Sequence, residues 1–219
     1  MSGTSWDFVG YIRAHPVHFL HLLGQHVELT VVSVALATAL SLPLAIVASR
    51  WERFAKVATW LAGLGQTVPS LALLAFMLPF LGIGFRPSVA ALAIRAVLPI
   101  FLNAYVGIRT ASPAALEAAR GMGASDAQRL WLVELPLASP VIMAGIQTAT
   151  VQNVGIAAIA AFIGGGGLGD LILQGLQMLD PSVLLAGAVP VAMLAVAADL
   201  LLGRIRRLVV PTGLQARSG

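Results

Sequence analysis

Five stretches of roughly 20 apolar residues punctuate this chain, and a run of that length is what a helix needs to cross hydrocarbon about 30 Å thick. A backbone in lipid must satisfy its own polar groups, so such runs fold as helices. The expected fold class is therefore all-α: a polytopic membrane protein with five transmembrane helices. The spans read at about 27–49, 57–83, 87–109, 137–163 and 181–202. Composition agrees, since 58% of the 219 residues are hydrophobic and only 10% are charged, too few to solvate an ordinary globular surface. Residues 1–26 then form an extracytoplasmic or interfacial segment, 27–206 the transmembrane domain, and 207–219 a cytoplasmic tail.

The second run carries a polar break, Gln66-Thr67-Val68-Pro69-Ser70, where proline removes a backbone donor and predicts a kink. Orientation follows from the basic residues, because cytoplasmic loops keep Lys and Arg. Segments after spans one, three and five collect Arg50, Arg53, Lys56, Arg109, Arg120, Arg129, Arg204, Arg206, Arg207 and Arg217. The opposite side keeps only Arg13 and Arg86. The N-terminus is expected outside and the C-terminus in the cytoplasm. The net charge of +4 is accounted for by this asymmetry and implies no nucleic acid.

The first 26 residues are mixed in character, and the apolar run after them is too long for the core of a cleavable leader, so span one is expected to persist. Cysteine is absent, which excludes disulfides, thiolate catalysis and Cys-ligated metals. His15, His18, His21 and His26 lie close together, but without Cys or a carboxylate set beyond Asp7 and Glu28 no metal site is expected. Trp6 to His26 reads instead as an amphipathic segment lying on the outer surface.

Between spans three and four, residues 112–136 are polar and helix-forming. Ser112-Pro113 opens a helix, with serine as cap and proline in the first turn. Gly121 and Gly123 weaken it, Ser125 with Gln128 three residues on forms a capping-box pattern, and Pro136 is expected to stop the second helix. The prediction is two short helices meeting at a glycine corner on the cytoplasmic side.

Glu117-Ala118-Ala119, Gly123, and Val133-Glu134-Leu135-Pro136 resemble the E-A-A-x(3)-G-x(9)-I-x-L-P signature of ABC importer permeases, with Val133 in place of isoleucine. The resemblance implies a type I ABC importer permease fold. It also implies that this loop is the coupling helix, seated in a cleft of a cytoplasmic ABC ATPase dimer, with Glu117, Ala118, Ala119, Gly123, Leu135 and Pro136 in that role. ATP hydrolysis would belong to the separate subunit, with no cofactor and no catalytic residue on this chain.

Outside the signature, Gln66 to Ala72, Leu78 to Gly84, Ala160 to Asp170, Asp180 to Ala188 and Ala198 to Leu201 resemble permeases of osmoprotectant importers. That subfamily carries glycine betaine, choline, carnitine and related quaternary amines. The likeness covers about residues 25–205. Relatives often have arginine before the span-three asparagine, where this chain has Leu102-Asn103, and threonines in span four, where it has Ile156, Ala157 and Ala158.

Arg95 sits inside span three, seven residues before position 102 and near the same helical face. A buried arginine is costly unless paired or wet, so it faces a pore or dimer interface or makes a structural hydrogen bond. Thr148, Gln152 and Gly155 form a small, polar stripe that either lines the path or glues helices together. Gln66, Ser70, Asn103 and Tyr105 are path candidates of the same kind.

Gly164-Gly165-Gly166-Gly167-Leu168-Gly169 lacks the Lys-Ser/Thr ending of a phosphate loop and reads as a bend before a short outer helix, about 168–179, beneath a docked binding protein. Aromatic cages suit quaternary ammonium, yet the chain has only four Trp and two Tyr. High-affinity recognition is therefore expected on an extracytoplasmic substrate-binding protein. Five spans also imply a second permease copy, as a homodimer or a heterodimer with a related permease. A methionine or other amino-acid importer is the alternative substrate reading. A secondary transporter would show inverted repeats and midplane carboxylates, and a membrane enzyme would show a catalytic cluster; neither pattern is visible.

Overall fold

The computed structural model describes residues 6–209, leaving Arg217 and the rest of the expected tail, 210–219, outside the described residues. Every regular element among the described residues is helical. In order these are α1 (Phe8–Ala14), α2 (Pro16–Arg50), α3 (Glu52–Thr67), α4 (Ser70–Leu81), α5 (Phe85–Arg109), α6 (Pro113–Gly121), α7 (Asp126–Arg129), α8 (Leu135–Ala157), α9 (Gly169–Met178) and α10 (Pro181–Val209). A π-helical turn, Leu130–Glu134, joins α7 to α8, and a 3-10 segment, Ala158–Ile163, follows α8.

Four helical stretches are long and apolar enough to cross a membrane, Pro16–Arg50, Phe85–Arg109, Asp126–Ile163 and Pro181–Leu208. The second of the expected five spans corresponds to α3 and α4, which are long and apolar enough only as a pair and are bent by 101° at Val68-Pro69, as in a broken span or a re-entrant loop; proline here breaks the helix rather than kinking it. Val68 takes an extended conformation, φ −71° and ψ 123°, as the residue before proline is sterically driven to do.

Helices α2, α5 and α8 pack on one another and α10 packs on α8 and α9. Small residues permit this closeness, as lipid-embedded helices require. A Cβ on Gly145 would lie 2.6 Å from the Asn103 Cβ, and one on Gly107 would lie 3.3 Å from that of Ala138. Asn153, 1% exposed, ties three helices together by donating to Ser33 Oγ at 3.0 Å and to the Leu92 carbonyl at 3.2 Å.

The N-terminal segment departs from the interfacial helix expected over Trp6 to His26. Residues 16–26 belong to α2, a rod about 50 Å long at 1.5 Å per residue. Phe8, Tyr11, Ile12 and Phe19 pack with Leu22 against Leu168, Leu171 and Val183. Part of the apolar surface of this segment is thereby covered by α9 and α10. His26 is fully buried and its Nε2 lies 2.9 Å from the Val154 carbonyl oxygen.

The glycine run bends as expected, with φ +73° at Gly164, +77° at Gly166 and +84° at Gly167. Gln25 Oε1 accepts from the Gly167 amide at 3.1 Å, which pins the turn to α2.

Candidate functional site

The segment between α5 and α8 forms from local rules. Ser112 Oγ accepts from the Ala115 amide at 3.5 Å and Pro113 takes the first turn of α6. At the other end Gly123 adopts φ +83°, its amide donates to the Arg120 carbonyl at 2.9 Å, and the Ala124 amide donates to the Ala119 carbonyl at 3.0 Å. This pair of bonds is the Schellman closure, which needs a left-handed residue where only glycine escapes a Cβ penalty. Ser125 then restarts the helix: its amide donates to Gln128 Oε1 at 2.8 Å and its hydroxyl accepts from the Gln128 amide at 3.3 Å.

Glu117, Ala118 and Gly123 are exposed, Met122 is 82% exposed, and Ala119 is buried at 4%. The corner thus presents the Glu117 carboxylate, the Met122 thioether, the Arg120 guanidinium and bare backbone, with the Asp126 carboxylate paired to Arg129 beside it, while Ala119 faces inward. Pro136 does not end the second helix as the sequence predicts. The helix runs from Asp126 through Ile163, because the π turn immediately before the proline widens the ladder, with the Leu135 amide donating to Leu130. That insertion absorbs the missing proline donor. Leu135 and Pro136 are half-buried at the base of the loop.

The same base carries an ion pair that neither span reveals alone. Arg50 Nη2 lies 2.6 Å from Glu134 Oε2, with the arginine side chain 43% exposed and the glutamate 4% exposed. It joins the end of α2 to the π turn, placing Arg50 at the end of the bundle that carries the loop. Gln147 of α8 donates to Asp199 Oδ1 of α10 at 2.6 Å.

Two cavities gather four of the eight expected path residues. The first, about 350 Å³, is lined by Gln66 and Arg95 together with Phe54, Phe101 and aliphatic side chains of α2, α3 and α5. Arg95 Nη1 donates to the Val68 carbonyl at 2.9 Å, across the broken span. The second, about 470 Å³, is lined by Thr148 and Gln152 with Gln147, Asp199 and Arg206. Ser70 is half-buried at the start of α4, and Gly155 is exposed with open space around it. Asn103 donates to the Pro99 carbonyl of its own helix at 2.8 Å, and Tyr105 stacks on Phe101 with centroids 6.2 Å apart. Neither lines one of these two cavities.

Sequence reading singled out neither Gln147 nor Asn153, and took Asp199 only as part of the Ala198 to Leu201 resemblance. Asp199 had a usable signal, being the only acidic residue between 181 and 209, where an ionisable group needs a reason. Asn153 and Gln147 had none, since an amide in an apolar run is common helix glue.

Fold and loop together define a membrane-embedded transport subunit of the ABC importer type. Residues 37–211 match the family of binding-protein-dependent transport system inner membrane components, and the chain belongs to that family. Among its relatives is the choline transport system permease protein OpuBB of Bacillus subtilis (strain 168), 41% identical over 94% of this chain and 95% of that one. The glycine betaine/carnitine/choline transport system permease protein OpuCB of the same organism is 40% identical over 94% of each chain. The osmoprotectant import permease protein OsmW of Salmonella typhimurium is 38% identical over 95% of this chain and all of its own length. An inward-facing structure of the MetNI methionine ABC transporter superposes with a TM-score of 0.82 at 21% identity, covering 90% of this chain and 99% of that one. That last likeness is one of fold: a type I ABC importer permease.

Proposed function

We propose that the chain is the permease subunit of an ATP-driven importer for quaternary-amine osmoprotectants, among them glycine betaine, choline and carnitine. Its N-terminus lies outside the cell and its C-terminus and residues 112–136 lie in the cytoplasm. The importer contains a second permease, identical or related, a cytoplasmic ATPase dimer and an extracytoplasmic binding protein. The substrate assignment rests on relatives 38–41% identical over nearly the whole chain.

One observation carries the coupling role: the bent loop closed at Gly123 stands exposed at the end of the bundle where Arg50 meets Glu134. Glu117, Ala118 and Met122 offer the ATPase a docking face, and Gly123 sets the angle between the two short helices. Glu134 and Pro136 sit where α8 continues without a joint. A push on the loop therefore moves α8 directly and α2 through Arg50. Closure of the ATPase halves would shift the spans between inward and outward access by this route.

The test is uptake by proteoliposomes holding the permease, its ATPase and its binding protein. ATP-dependent accumulation of glycine betaine, choline or carnitine is expected. Uptake of methionine alone would overturn the substrate reading, and uptake driven by an ion gradient without ATP would overturn the importer class.

A further inference from the structure

Arg95 lies ten residues into α5, about 15 Å along a helix of 1.5 Å rise, and so near the middle of hydrocarbon about 30 Å thick. A charge at that depth needs a partner or a purpose. Its one hydrogen bond among the described residues is from Nη1 to the Val68 carbonyl at 2.9 Å. A guanidinium carries five donors in a planar fork matched to a carboxylate. No acidic residue lines the cavity of about 350 Å³ onto which Arg95 and Gln66 open; the rest of its wall is glycine and apolar side chains, including Phe54 and Phe101. The cavity is within the size range of small-molecule sites and has their composition, mostly apolar with a few polar groups. It also adjoins the bent helix pair, an element of the kind at which secondary transporters place substrate contacts.

We propose that this cavity is a contact site for the transported solute, selective for quaternary amines that also carry a carboxylate. Arg95 and Gln66 receive the carboxylate, and the aromatic side chains of the wall, Phe54 and Phe101, receive the trimethylammonium group. The inference rests on the osmoprotectant reading above. Its logic is electrostatic. A bare cation such as choline is repelled by a guanidinium in a low-dielectric wall, whereas a zwitterion such as glycine betaine brings its own counter-charge. The aromatic rings then attract the ammonium end. Arg95 holds the broken span and the substrate at once, so a bound carboxylate competes with or adds to the bond that fixes Val68.

The permease–ATPase complex in lipid nanodiscs, without binding protein, allows the site to be probed directly. Saturation-transfer NMR titrations with glycine betaine and with choline give an apparent affinity for each. Wild type is expected to engage glycine betaine more tightly than choline. Arg95→Gln is expected to weaken glycine betaine at least tenfold relative to choline. Gln66→Glu places a carboxylate on the exposed α3 wall, where no hydrogen bond of Gln66 is broken, and is expected to reverse the preference toward choline. Parallel weakening of both solutes in both variants would reduce Arg95 to a structural partner of Val68 and overturn the proposal. So would an absence of glycine betaine contact in wild type, or a preference unmoved by either variant. If the full importer still accumulated glycine betaine in proteoliposomes, the osmoprotectant reading would survive that failure.

Discussion

Arg50 at the end of α2 and Glu134 in the π turn before α8 meet at 2.6 Å although 84 residues separate them. The glutamate is almost completely enclosed and the arginine reaches solvent, so the pair is asymmetric. Removing the arginine strands a buried carboxylate, which costs several times more than losing a surface pair. Arg50→Met is expected to destabilise the permease by about 2 kcal/mol, a buried-pair value discounted for arginine's exposure. Arg50→Met with Glu134→Leu is expected to recover most of that loss. A double-mutant cycle of unfolding in detergent measures both. A double variant less stable than Arg50→Met alone would show that the pair is not the unit.

Gly123 meets no atom within 4 Å of where a Cβ would be, yet its φ is +83°. The demand is conformational and not steric. Gly123→Ala is expected to cost about 1 kcal/mol locally, and Gly123→Asn less, because asparagine tolerates the left-handed region. Co-purification of the ATPase and transport in proteoliposomes should follow the order Gly, Asn, Ala, Leu. Wild-type behaviour in Gly123→Leu would remove the corner from the coupling scheme.

Glu117 is exposed and makes no ion pair among the described residues. Glu117→Gln should leave the thermal stability of the isolated permease unchanged and lower its association with the ATPase at low salt. Equal association of both forms across a salt titration would assign the carboxylate no docking role.

Gly145 and Gly24 predict opposite outcomes for the same substitution. At Gly145 an added Cβ would stand 3.0 Å from the Pro99 carbonyl and closer still to Asn103, whereas nothing lies within 4 Å of Gly24. Gly145→Ala is expected to lose about 1–3 kcal/mol by overpacking α5 against α8. Gly24→Ala is expected to be neutral or to gain up to about 1 kcal/mol by helix propensity. Thermal melts of the two purified variants give the comparison.

Asp170, in the first turn of α9, has its carboxyl pushed above the ordinary range by burial, with His18 drawing it partly back. The folded state then holds the proton more tightly than the unfolded chain, so stability falls as pH rises from the ordinary aspartate value, about 3.9, through the raised one. Asp170→Asn should be more stable than wild type at pH 7, and that advantage should shrink as pH falls toward 4. A constant difference between the two melting curves from pH 4 to 8 would contradict the burial argument.

Local signals made much of the loop over residues 112–136 readable. Capping by Ser112 and Ser125 and the turn at Gly123 depend on a few adjacent residues, and each forms as its residue pattern requires. Pro136 misled for the same reason: alone it reads as a helix stop, but a π turn five residues long precedes it and carries the helix through. Nothing in the order Leu130 to Glu134 announces that turn, which is held by the packing of α6 and the Arg50 bond.

By itself the sequence determined an all-helical membrane protein, the apolar runs that form its spans, the basic asymmetry of their ends and the bent loop between the third and fourth. These follow from hydrophobic length, charge and turn chemistry, which act over a few residues at a time. Only the tertiary structure decided that residues 16–26 belong to α2, that the helix pair over the second apolar run breaks by 101° at Val68, and that Arg95 bonds across the break and shares a cavity with Gln66. A hydrogen-bond donor in an apolar run must find an acceptor, but which acceptor depends on the helices that close packing brings beside it.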